Sequence, residues 1–354
     1  MKTIDKTKPI LVTGATGYIA SWLVKKLLDE GLTVHAAVRN PNNDTKTKPL
    51  NKLAANTKGK IKYFKTNLLV KGSYNEAMKG CELIFHTASP FKTKIKDPQK
   101  ELIDPALLGT INVLGEANKH DSVKRIVLTS SCSAIGHDAS ARLKSKNQEL
   151  TEENWEETAS LSYQPYAYSK MLAEKEAWEI FKSQNKWDLV VINPCLVMGP
   201  ALNGVANTST SISILKMFGD GTLKNGVPNS GTGVVDIRDV AQAHYNAGFI
   251  PSASGRYIVA GTNTSFLEMS QILYKKFGDS YKIPTKILPK WLIMIIGPLI
   301  DNQISRKWVR NNVNVDWKAN NSKSIRELNM KYRPLEETMI DAFQYLIDSK
   351  IIGN

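Results

Sequence analysis

Two side chains near the middle of the chain have the types and the spacing needed to protonate a carbonyl oxygen. Tyr166 and Lys170 lie four residues apart, so a helix would place both on one face. A phenol with a pKa near ~10 releases its proton reluctantly at neutral pH, whereas an ammonium at ~4 Å favours the phenolate by up to ~4 kcal/mol at an effective dielectric constant of ~20. Ser131, at the end of an upstream β-branched run, offers a hydroxyl to the same oxygen. We predict that Tyr166 is a general acid tuned by Lys170, and that Ser131 steadies the developing charge.

Each of these residues also has a structural interpretation that the sequence leaves open. Tyr166 would pack as an aromatic at a helix start, and Ser131 would satisfy backbone groups at a strand end, with Ser130 as a rival. Asn112, inside a predicted helix, would support either a water relay or the packing of that helix. Cys132 is predicted as a small buried thiol rather than a nucleophile, because no histidine is placed to activate it.

A glycine-rich run near the N-terminus predicts a dinucleotide site. The run Val12-Thr13-Gly14-Ala15-Thr16-Gly17 follows a β-branched segment and precedes a helical pattern. In that order, a backbone turn holds a pyrophosphate at a helix N-terminus. Gly14 would permit the turn, Gly17 the close approach of the phosphate, and Ala20 the tight packing of helix on strand.

The end of the second predicted strand indicates which nicotinamide cofactor binds. An Asp or Glu at that point would take the ribose hydroxyls of NAD, whereas the 2′-phosphate of NADP requires cations. The segment from Gly31 to Asn43 contains no acidic residue, Arg39 stands at the strand end, and Lys46 follows within reach. Because a guanidinium binds phosphate through two charge-assisted hydrogen bonds, we predict NADPH/NADP+ rather than NADH.

Short β-branched runs alternate with helical patterns over the first half of the chain, which predicts an α/β fold with a Rossmann-type doubly wound parallel sheet. The predicted strands are Ile10–Gly14, Thr33–Val38, Ile61–Thr66, Cys81–Thr87, Arg125–Ser131 and Asp188–Asn193. The predicted helices between them are Tyr18–Glu30, Ser73–Lys79, Pro98–Lys119 and Pro165–Ser183.

The second half of the chain predicts a smaller, mainly helical substrate lobe. Residues 1–200, with a returning segment 233–262, would form the dinucleotide-binding domain, and residues 201–232 and 263–354 would form the lobe. Within the returning segment, Asp239 is predicted to cap a helix that begins at Val240, and the run from Arg256 to Gly261 is predicted as a strand. The Gly-, Asn- and Ser-rich residues 201–233 are predicted as loops around the cleft.

Composition excludes several classes of function. The net charge is +14, but the basic residues are scattered and form no nucleic-acid motif, so we predict a small-molecule partner and no nucleic acid. The three cysteines lack metal-type spacing, and we predict no metal site and a reducing, cytoplasmic location. We find no signal peptide, and the longest apolar run, from Trp291 to Ile300, is too short to span a bilayer. A monomer or homodimer is expected.

These residues together resemble an extended short-chain dehydrogenase/reductase. Within that family, the chain is most similar to the group of dihydroflavonol reductases, cinnamoyl-CoA reductases and yeast methylglyoxal (aldehyde) reductases. The resemblance covers nearly the whole chain and is carried by the segments 13–24, 37–39, 86–90, 126–131, 166–170, 173–178 and 193–194. It implies that Ser131, Tyr166 and Lys170 form a catalytic triad, in which Lys170 also holds the nicotinamide ribose.

The resemblance also implies which residues line the cofactor groove, and two positions of the chain depart from the family pattern. The predicted cofactor-binding residues are Gly14, Thr16, Gly17, Tyr18, Ile19, Arg39, Lys46, Asn67, Leu68, Thr87, Ala88, Ser89, Thr129, Tyr166, Lys170, Pro194 and Val197. Asn67 replaces the usual Asp near the adenine, which weakens one contact. Gly136 stands where plant flavonoid reductases use Asn, which makes a flavonoid substrate doubtful. Phe91, Tyr163 and Met198 are predicted as apolar walls of the substrate site.

The leading hypothesis is an NADPH-dependent carbonyl reductase that converts an aldehyde, ketone or 2-oxo compound to an alcohol. A nucleotide-sugar epimerase or dehydratase, or a 3β-hydroxysteroid-type dehydrogenase, is the alternative within the same fold. Those enzymes often use NAD, and no acid marks the second strand here. A dinucleotide-binding sensor without catalysis is the alternative outside enzymes, and the intact set of Ser131, Tyr166 and Lys170 argues against it.

Overall fold

The computed structural model describes residues 2–89, 95–202, 209–301 and 303–353. Its main element is a seven-stranded sheet in which every neighbouring pair is parallel, in the order β10-β6-β5-β4-β1-β2-β3. The strands are β1 (Ile10–Thr13), β2 (Thr33–Val38), β3 (Lys60–Lys65), β4 (Leu83–His86), β5 (Arg125–Thr129), β6 (Asp188–Pro194) and β10 (Gly255–Val259). This sheet confirms the predicted Rossmann-type fold.

The helices that cover the sheet account for the hydrophobicity of its strands. They are α1 (Tyr18–Asp29), α2 (Asp44–Ala55), α3 (Asn75–Met78), α4 (Asp104–Ala117), α5 (Pro165–Lys182) and α7 (Ile237–Phe249). β1 and β4 are buried at every position, as expected of parallel strands with helices on both faces. Edge strand β3 instead alternates exposed lysines with half-buried residues, which protects the edge from pairing with another chain.

Two short sheets and the remaining helices lie outside the main sheet, mainly in the residues of the predicted smaller lobe. One sheet has the order β11-β9-β7, and the other pairs β12 with β8. The elements of this part are β7 (Leu196–Met198), α6 (Thr210–Met217), β8 (Val227–Pro228), β9 (Gly231–Asp236), β11 (Thr262–Ser265), α8 (Phe266–Phe277), β12 (Ile287–Leu288), α9 (Lys290–Ile300), α10 (Arg306–Asn312), α11 (Ser322–Glu327) and α12 (Leu335–Asp348). Helices α6, α8 and α12 share one apolar core with β7 and β9.

Several predicted boundaries were wrong for identifiable reasons. Helix α7 begins at Ile237, and its cap is Asp236 rather than Asp239, since the Asp236 carboxylate accepts the Arg238 N–H at 2.8 Å. Asp239 instead accepts a hydrogen bond from the backbone N–H of Arg333 at 2.7 Å. The predicted helix from Pro98 begins with a π-helical turn before α4.

The remaining differences lie in segments whose local pattern is weak. Helix α2 was not predicted, because its Lys- and Thr-rich sequence carries little apolar periodicity. The predicted loops of residues 201–233 contain α6 and β8. Within the returning segment, residues 233–262, α7 packs on α1 and β10 joins the main sheet. Strand β9 instead pairs with β7 and β11 in a separate sheet. The division into two domains stays a prediction.

Candidate active site

The glycine turn follows β1, the strand at which the order of the sheet reverses. From β1 the chain continues to β2 and β3 on one side and then crosses over to β4 on the other side. Gly14 has a φ of +63°, and a Cβ there would come within 3.0 Å of the Ala88 Cβ, so both the conformation and the space require glycine. Helix α1 follows at Tyr18, its cap Gly17 offers no side-chain acceptor, and its first turn contains no acidic residue. The N–H groups of that turn therefore point into the crevice where doubly wound sheets bind nucleotide phosphates.

The Thr13 side chain holds the segment after β4 at the bottom of this crevice, a role that was not predicted from the sequence. Its hydroxyl oxygen accepts the backbone N–H groups of Thr87 at 3.1 Å and Ala88 at 3.0 Å. The same hydroxyl lies 2.9 Å from Nδ1 of His86. Burial lowers the pKa of His86 to about 3, so the imidazole is neutral. Because the Thr13 oxygen already accepts two N–H groups, its O–H donates to Nδ1 of His86. The ends of β1 and β4 are locked together by one side chain.

Two unopposed cations follow β2. Arg39 is exposed directly after the strand, and Lys46 lies half-buried in the first turn of α2. Among the residues that the structure describes, neither side chain forms an ion pair, and the one acid of that turn, Asp44, is paired with Lys48 at 3.0 Å. This arrangement leaves both positive charges available to a 2′-phosphate.

Some predicted cofactor residues use their side chains within the protein. The Tyr18 hydroxyl donates to the Gly199 carbonyl at 2.7 Å, and the Thr129 hydroxyl is bonded to Nε2 of His244 at 2.7 Å. Asn67 accepts the Leu69 N–H at 3.0 Å in a local turn. Thr16, Ile19 and Ser89 are half-buried, and Pro194 and Val197 are buried at and just after the end of β6. Contacts from these residues to a cofactor stay a prediction.

The contacts of Asn112 favour a role in packing its helix rather than in a water relay. Its side-chain amide donates to the Leu68 carbonyl at 2.7 Å, which ties α4 to the loop after β3. Leu68 in turn packs on Gly109, where an added Cβ would lie 3.1 Å from its Cδ2. Asn112 therefore positions the segment predicted to face the adenine.

Ser131, Tyr166 and Lys170 come together at the carboxyl ends of the central strands. Ser131 follows β5 and caps a short 3₁₀ turn by accepting the Ser133 N–H at 3.1 Å. Tyr166 is the second residue of α5 and is hydrogen-bonded to the Ser131 hydroxyl. One turn further along α5, Nζ of Lys170 lies 5.9 Å from the centroid of the Tyr166 ring.

Burial governs the protonation of both helical residues. It raises the pKa of Tyr166 to about 12, against the smaller opposing effect of the Ser131 hydrogen bond. It lowers the pKa of Lys170 to about 8, although the negative charge of Glu174 partly offsets this. The Tyr166 phenol therefore keeps its proton at neutral pH. The dominant effect on its pKa is burial rather than the predicted lowering by Lys170.

Glu174 supports the site from behind, and the sequence did not predict its role. Its carboxylate accepts hydrogen bonds from the Ser130 hydroxyl at 2.5 Å and from the Asn193 amide at 2.8 Å. It also pairs with Nε of Arg256 at 2.5 Å. One buried side chain thus ties α5 to β5, β6 and β10. Because Ser130 is bound to Glu174, Ser131 is the serine whose hydroxyl meets Tyr166.

Cys132 lies in this region as a protonated thiol. It is buried, its Sγ donates to the Asn193 carbonyl at 3.1 Å, and it lies 2.8 Å from Sγ of Cys195. Burial raises its pKa well above the ordinary value for a thiol. A nucleophilic thiolate is therefore disfavoured, in keeping with the sequence-based interpretation.

The predicted substrate walls have different outcomes. Met198 is 1% exposed and packs in the apolar core that α6, α8 and α12 share with β7 and β9, and its contact with a substrate stays a prediction. Tyr163 is half-buried and donates its hydroxyl to the Asp138 carboxylate at 2.9 Å, with Nζ of Lys307 3.9 Å from the ring centroid. Phe91 lies outside the described residues.

Two classes of feature are absent from the part of the chain that the structure describes. No group of three or more His, Cys, Asp or Glu residues there is arranged to hold a metal ion. No helix in the same ranges has the length and apolar character to cross a bilayer.

Comparison with known proteins identifies the family. A family model described as the NAD dependent epimerase/dehydratase family matches residues 10–250. The chain belongs to this family. A cinnamoyl-CoA reductase of Medicago truncatula is 42% identical over 280 residues, which cover 78% of this chain and 83% of the relative.

Other relatives of the epimerase/dehydratase family place the chain among the extended short-chain dehydrogenase/reductases, as predicted. A putative anthocyanidin reductase of Ginkgo biloba is 38% identical over 294 residues, covering 80% of this chain and 84% of that protein. Among solved structures, yeast methylglyoxal/isovaleraldehyde reductase complexed with NADPH matches with a TM-score of 0.78 and 26% identity, covering 97% of this chain and 99% of that one.

Proposed function

We propose that the chain reduces an aldehyde, ketone or 2-oxo compound to the alcohol with NADPH, and that Tyr166 donates the proton. The family and its reductase relatives make the chain an NADP-dependent oxidoreductase, as predicted. The observation that carries the finer proposal is the cluster of Ser131, Tyr166 and Lys170, since Lys170 lines one cavity with Ala88, the residue that packs on Gly14.

The residues of the crevice fit a dinucleotide phosphate carrying an additional 2′-phosphate. Gly14 and Gly17 leave the backbone open at the N-terminus of α1, where partial positive charge favours an anion. Arg39 and Lys46 would bind the 2′-phosphate, since the described residues provide no competing carboxylate for either. Thr87 and Ala88, held by Thr13, would form the floor under the cofactor.

The proton chemistry follows from the arrangement of the three polar side chains. The bound nicotinamide supplies a hydride to the carbonyl carbon, so the oxygen must gain one proton as its negative charge develops. Tyr166 holds that proton at neutral pH because burial raises the pKa of its phenol. The Ser131 hydroxyl would donate to the substrate oxygen and position it against the phenol. Lys170 would stabilise the phenolate left behind.

Gly136 stands where plant flavonoid reductases use Asn, and it is buried beside Leu150. A Cβ on Gly136 would lie 2.8 Å from Cδ2 of the buried Leu150, so a larger residue at this position requires that side chain to move. The absence of this Asn supports a carbonyl substrate other than a flavonoid.

We also propose a cytosolic location and a monomer or homodimer. The structure records all three cysteines as free, including the close pair Cys132 and Cys195. Reduced thiols at this separation are consistent with a reducing compartment.

The experiment that tests the proposal is a comparison of substrates. We expect the purified chain to oxidise NADPH with one or more members of a panel of aldehydes, ketones, 2-oxo esters and diketones, and to leave UDP-sugars unchanged. Net cofactor oxidation separates a reductase from an epimerase, which returns its hydride to the sugar. Conversion of a UDP-sugar without carbonyl turnover would replace the proposal with the epimerase. Binding of NADPH with no turnover of any compound would favour the sensor.

A further inference from the structure

Helix α9 exposes a continuous apolar stripe. Trp291, Ile295 and Leu299 follow one another at intervals of one turn, and their exposed fractions are 66%, 57% and 83%. Ile300, at the end of the helix, is 74% exposed. Single exposed apolar residues are ordinary, but a stripe along a whole helix marks an interaction surface.

The stripe is held in a fixed orientation by the rest of the hairpin formed by α9 and α10. On its inner face Ile293 packs with Val309 and Val313. At Gly297 an added Cβ would lie 2.6 Å from Cγ2 of Ile304, so the two chain segments are in close contact. Nζ of Lys290 donates to the Val313 carbonyl at 2.7 Å, which ties the start of α9 to the end of α10. The exposed face is therefore a preformed surface.

Positive charge borders the stripe at both ends. Arg306 lies in the first turn of α10, near the end of α9, while Arg310 and Lys286 lie near its start. All three are exposed, and within the described ranges none forms an ion pair. From residue 282 to residue 310 the sequence contains six basic residues and a single acid, Asp301.

We propose that this face of α9 docks on an anionic phospholipid surface. An apolar stripe with flanking cations is the pattern of helices that lie in the membrane interface, where the apolar side chains enter the headgroup region and the cations contact lipid phosphates. At 11 residues the helix is about 16 Å long, about half the thickness of a hydrocarbon core, so it lies along the surface. Trp291 is suited to the interface itself.

A second copy of the chain is a poorer occupant for the same face. Stable protein interfaces bury about 800 Å² of accessible surface on each partner, which is more than the four exposed apolar side chains of this short helix offer. Self-association through the stripe would also bring Arg306 and Arg310 of one copy close to those of the other. An anionic surface instead neutralises these charges, so charge and area both favour lipid.

Vesicle co-sedimentation of the full chain tests the proposal. We expect the chain to bind phosphatidylcholine vesicles that contain phosphatidylglycerol at least about tenfold more tightly than vesicles of phosphatidylcholine alone, and to be released by high salt. Leu299→Glu should weaken binding to the anionic vesicles by at least about tenfold. The matched control is Ile325→Glu, an apolar residue of α11 that is 46% exposed, which should bind like the parent chain.

A second variant tests the charges separately from the stripe. The double substitution Arg306→Glu and Arg310→Glu should weaken binding to anionic vesicles and leave any weak binding to neutral vesicles unchanged. Circular dichroism and thermal unfolding check that each variant is folded, and neither measurement depends on the reductase proposal.

Four outcomes would overturn the proposal. They are no binding to anionic vesicles, equal binding to neutral ones, binding that Leu299→Glu leaves intact, and an unchanged affinity in the double arginine variant. A parent chain that is dimeric by analytical ultracentrifugation, becomes monomeric with Leu299→Glu and ignores vesicles would assign the face to a second copy.

Discussion

At the scale of single residues, we propose that the charge following β2 determines which cofactor the crevice prefers. Arg39 is exposed, and Lys46 lies in the first turn of α2. Charge-assisted hydrogen bonds to a phosphate stabilise a complex by about 1.5–3 kcal/mol. We therefore expect Arg39 and Lys46 to affect the preference for NADPH over NADH much more than the binding of the pyrophosphate, which both cofactors share.

We expect Arg39→Ala to raise the KM for NADPH by about tenfold or more, with little change in the KM for NADH. The reason is that only NADPH carries the 2′-phosphate. Steady-state kinetics with each cofactor measure the effect, and Arg326→Ala, which removes an exposed arginine from α11, is the control. Equal changes for both cofactors would show that Arg39 does not bind the 2′-phosphate.

His86 makes the stability of the chain sensitive to acid. Burial holds the pKa of its imidazole at about 3, below the 6.5 of an unfolded chain. The unfolded state thus binds a proton between these two values while the native state does not, so stability falls as pH decreases through this range. The loss from this residue is at most about 5 kcal/mol.

Urea unfolding at about pH 7 and about pH 4 should show that His86→Asn loses less stability on acidification than the parent chain does. His244 contributes in the same direction, since burial lowers the pKa of its imidazole to about 4, and its presence in both proteins leaves part of the acid sensitivity. An identical loss in the variant and the parent chain would show that His86 is not held neutral by the fold.

At the scale of secondary-structure elements, helix α7 has a cap that also forms an ion pair. The Asp236 carboxylate accepts the Arg238 N–H at 2.8 Å and pairs with its guanidinium at 2.7 Å. The two contributions are separable, because Asn preserves the cap and removes the charge.

We expect Asp236→Ala to lower the free energy of unfolding by about 2 kcal/mol and Asp236→Asn to lower it by less. Removing a cap typically costs about 1 kcal/mol, and losing the carboxylate also removes one ion pair of Arg238, which keeps its pairs with Asp341 and Glu337. Denaturant unfolding of the three proteins measures both values. If Asn were as destabilising as Ala, the ion pair rather than the cap would start this helix.

The Glu174 cluster holds α5, which carries Tyr166 and Lys170, against three strands of the sheet. Removing this carboxylate leaves the guanidinium of Arg256 buried and unpaired, and such changes cost about 3–5 kcal/mol. We expect Glu174→Ala to have this effect in denaturant unfolding.

A double variant tests whether the stability lost in Glu174→Ala comes from the unpaired charge of Arg256. Adding Arg256→Leu to Glu174→Ala should recover part of the lost stability, because it removes the unpaired cation. A double variant less stable than Glu174→Ala alone would show that Arg256 stabilises the fold through its backbone contacts with Glu152 and Asn154 instead.

At the scale of the whole molecule, features with a local pattern were predictable and features that depend on distant partners were not. β2 was predicted at its observed bounds, since its β-branched and apolar run is interrupted at both ends. Ser131, Tyr166 and Lys170 were predictable as a set because strand ends and helix faces follow from periodicity.

The backbone partners of Thr13 lie 74 and 75 residues away along the chain, those of Glu174 lie 19 to 82 residues away, and no local pattern encodes such contacts. The packing of Met198 in one core with α12 was not predicted for the same reason, since α12 comes much later in the sequence. Asp239 was mistaken for a cap because the pairing of β9 with β7, which ends at Asp236, cannot be derived from the segment alone.

The most direct test of the proposed reaction is the turnover of NADPH by Tyr166→Phe with the best carbonyl substrate of the parent chain. Tyr168→Phe, on the same helix, is the matched control. We predict that Tyr166→Phe lowers kcat by about 10²–10⁴-fold while the Kd for NADPH, measured by fluorescence, changes far less, and that Tyr168→Phe turns over normally. Undiminished turnover by Tyr166→Phe would contradict the assignment of Tyr166 as the proton donor.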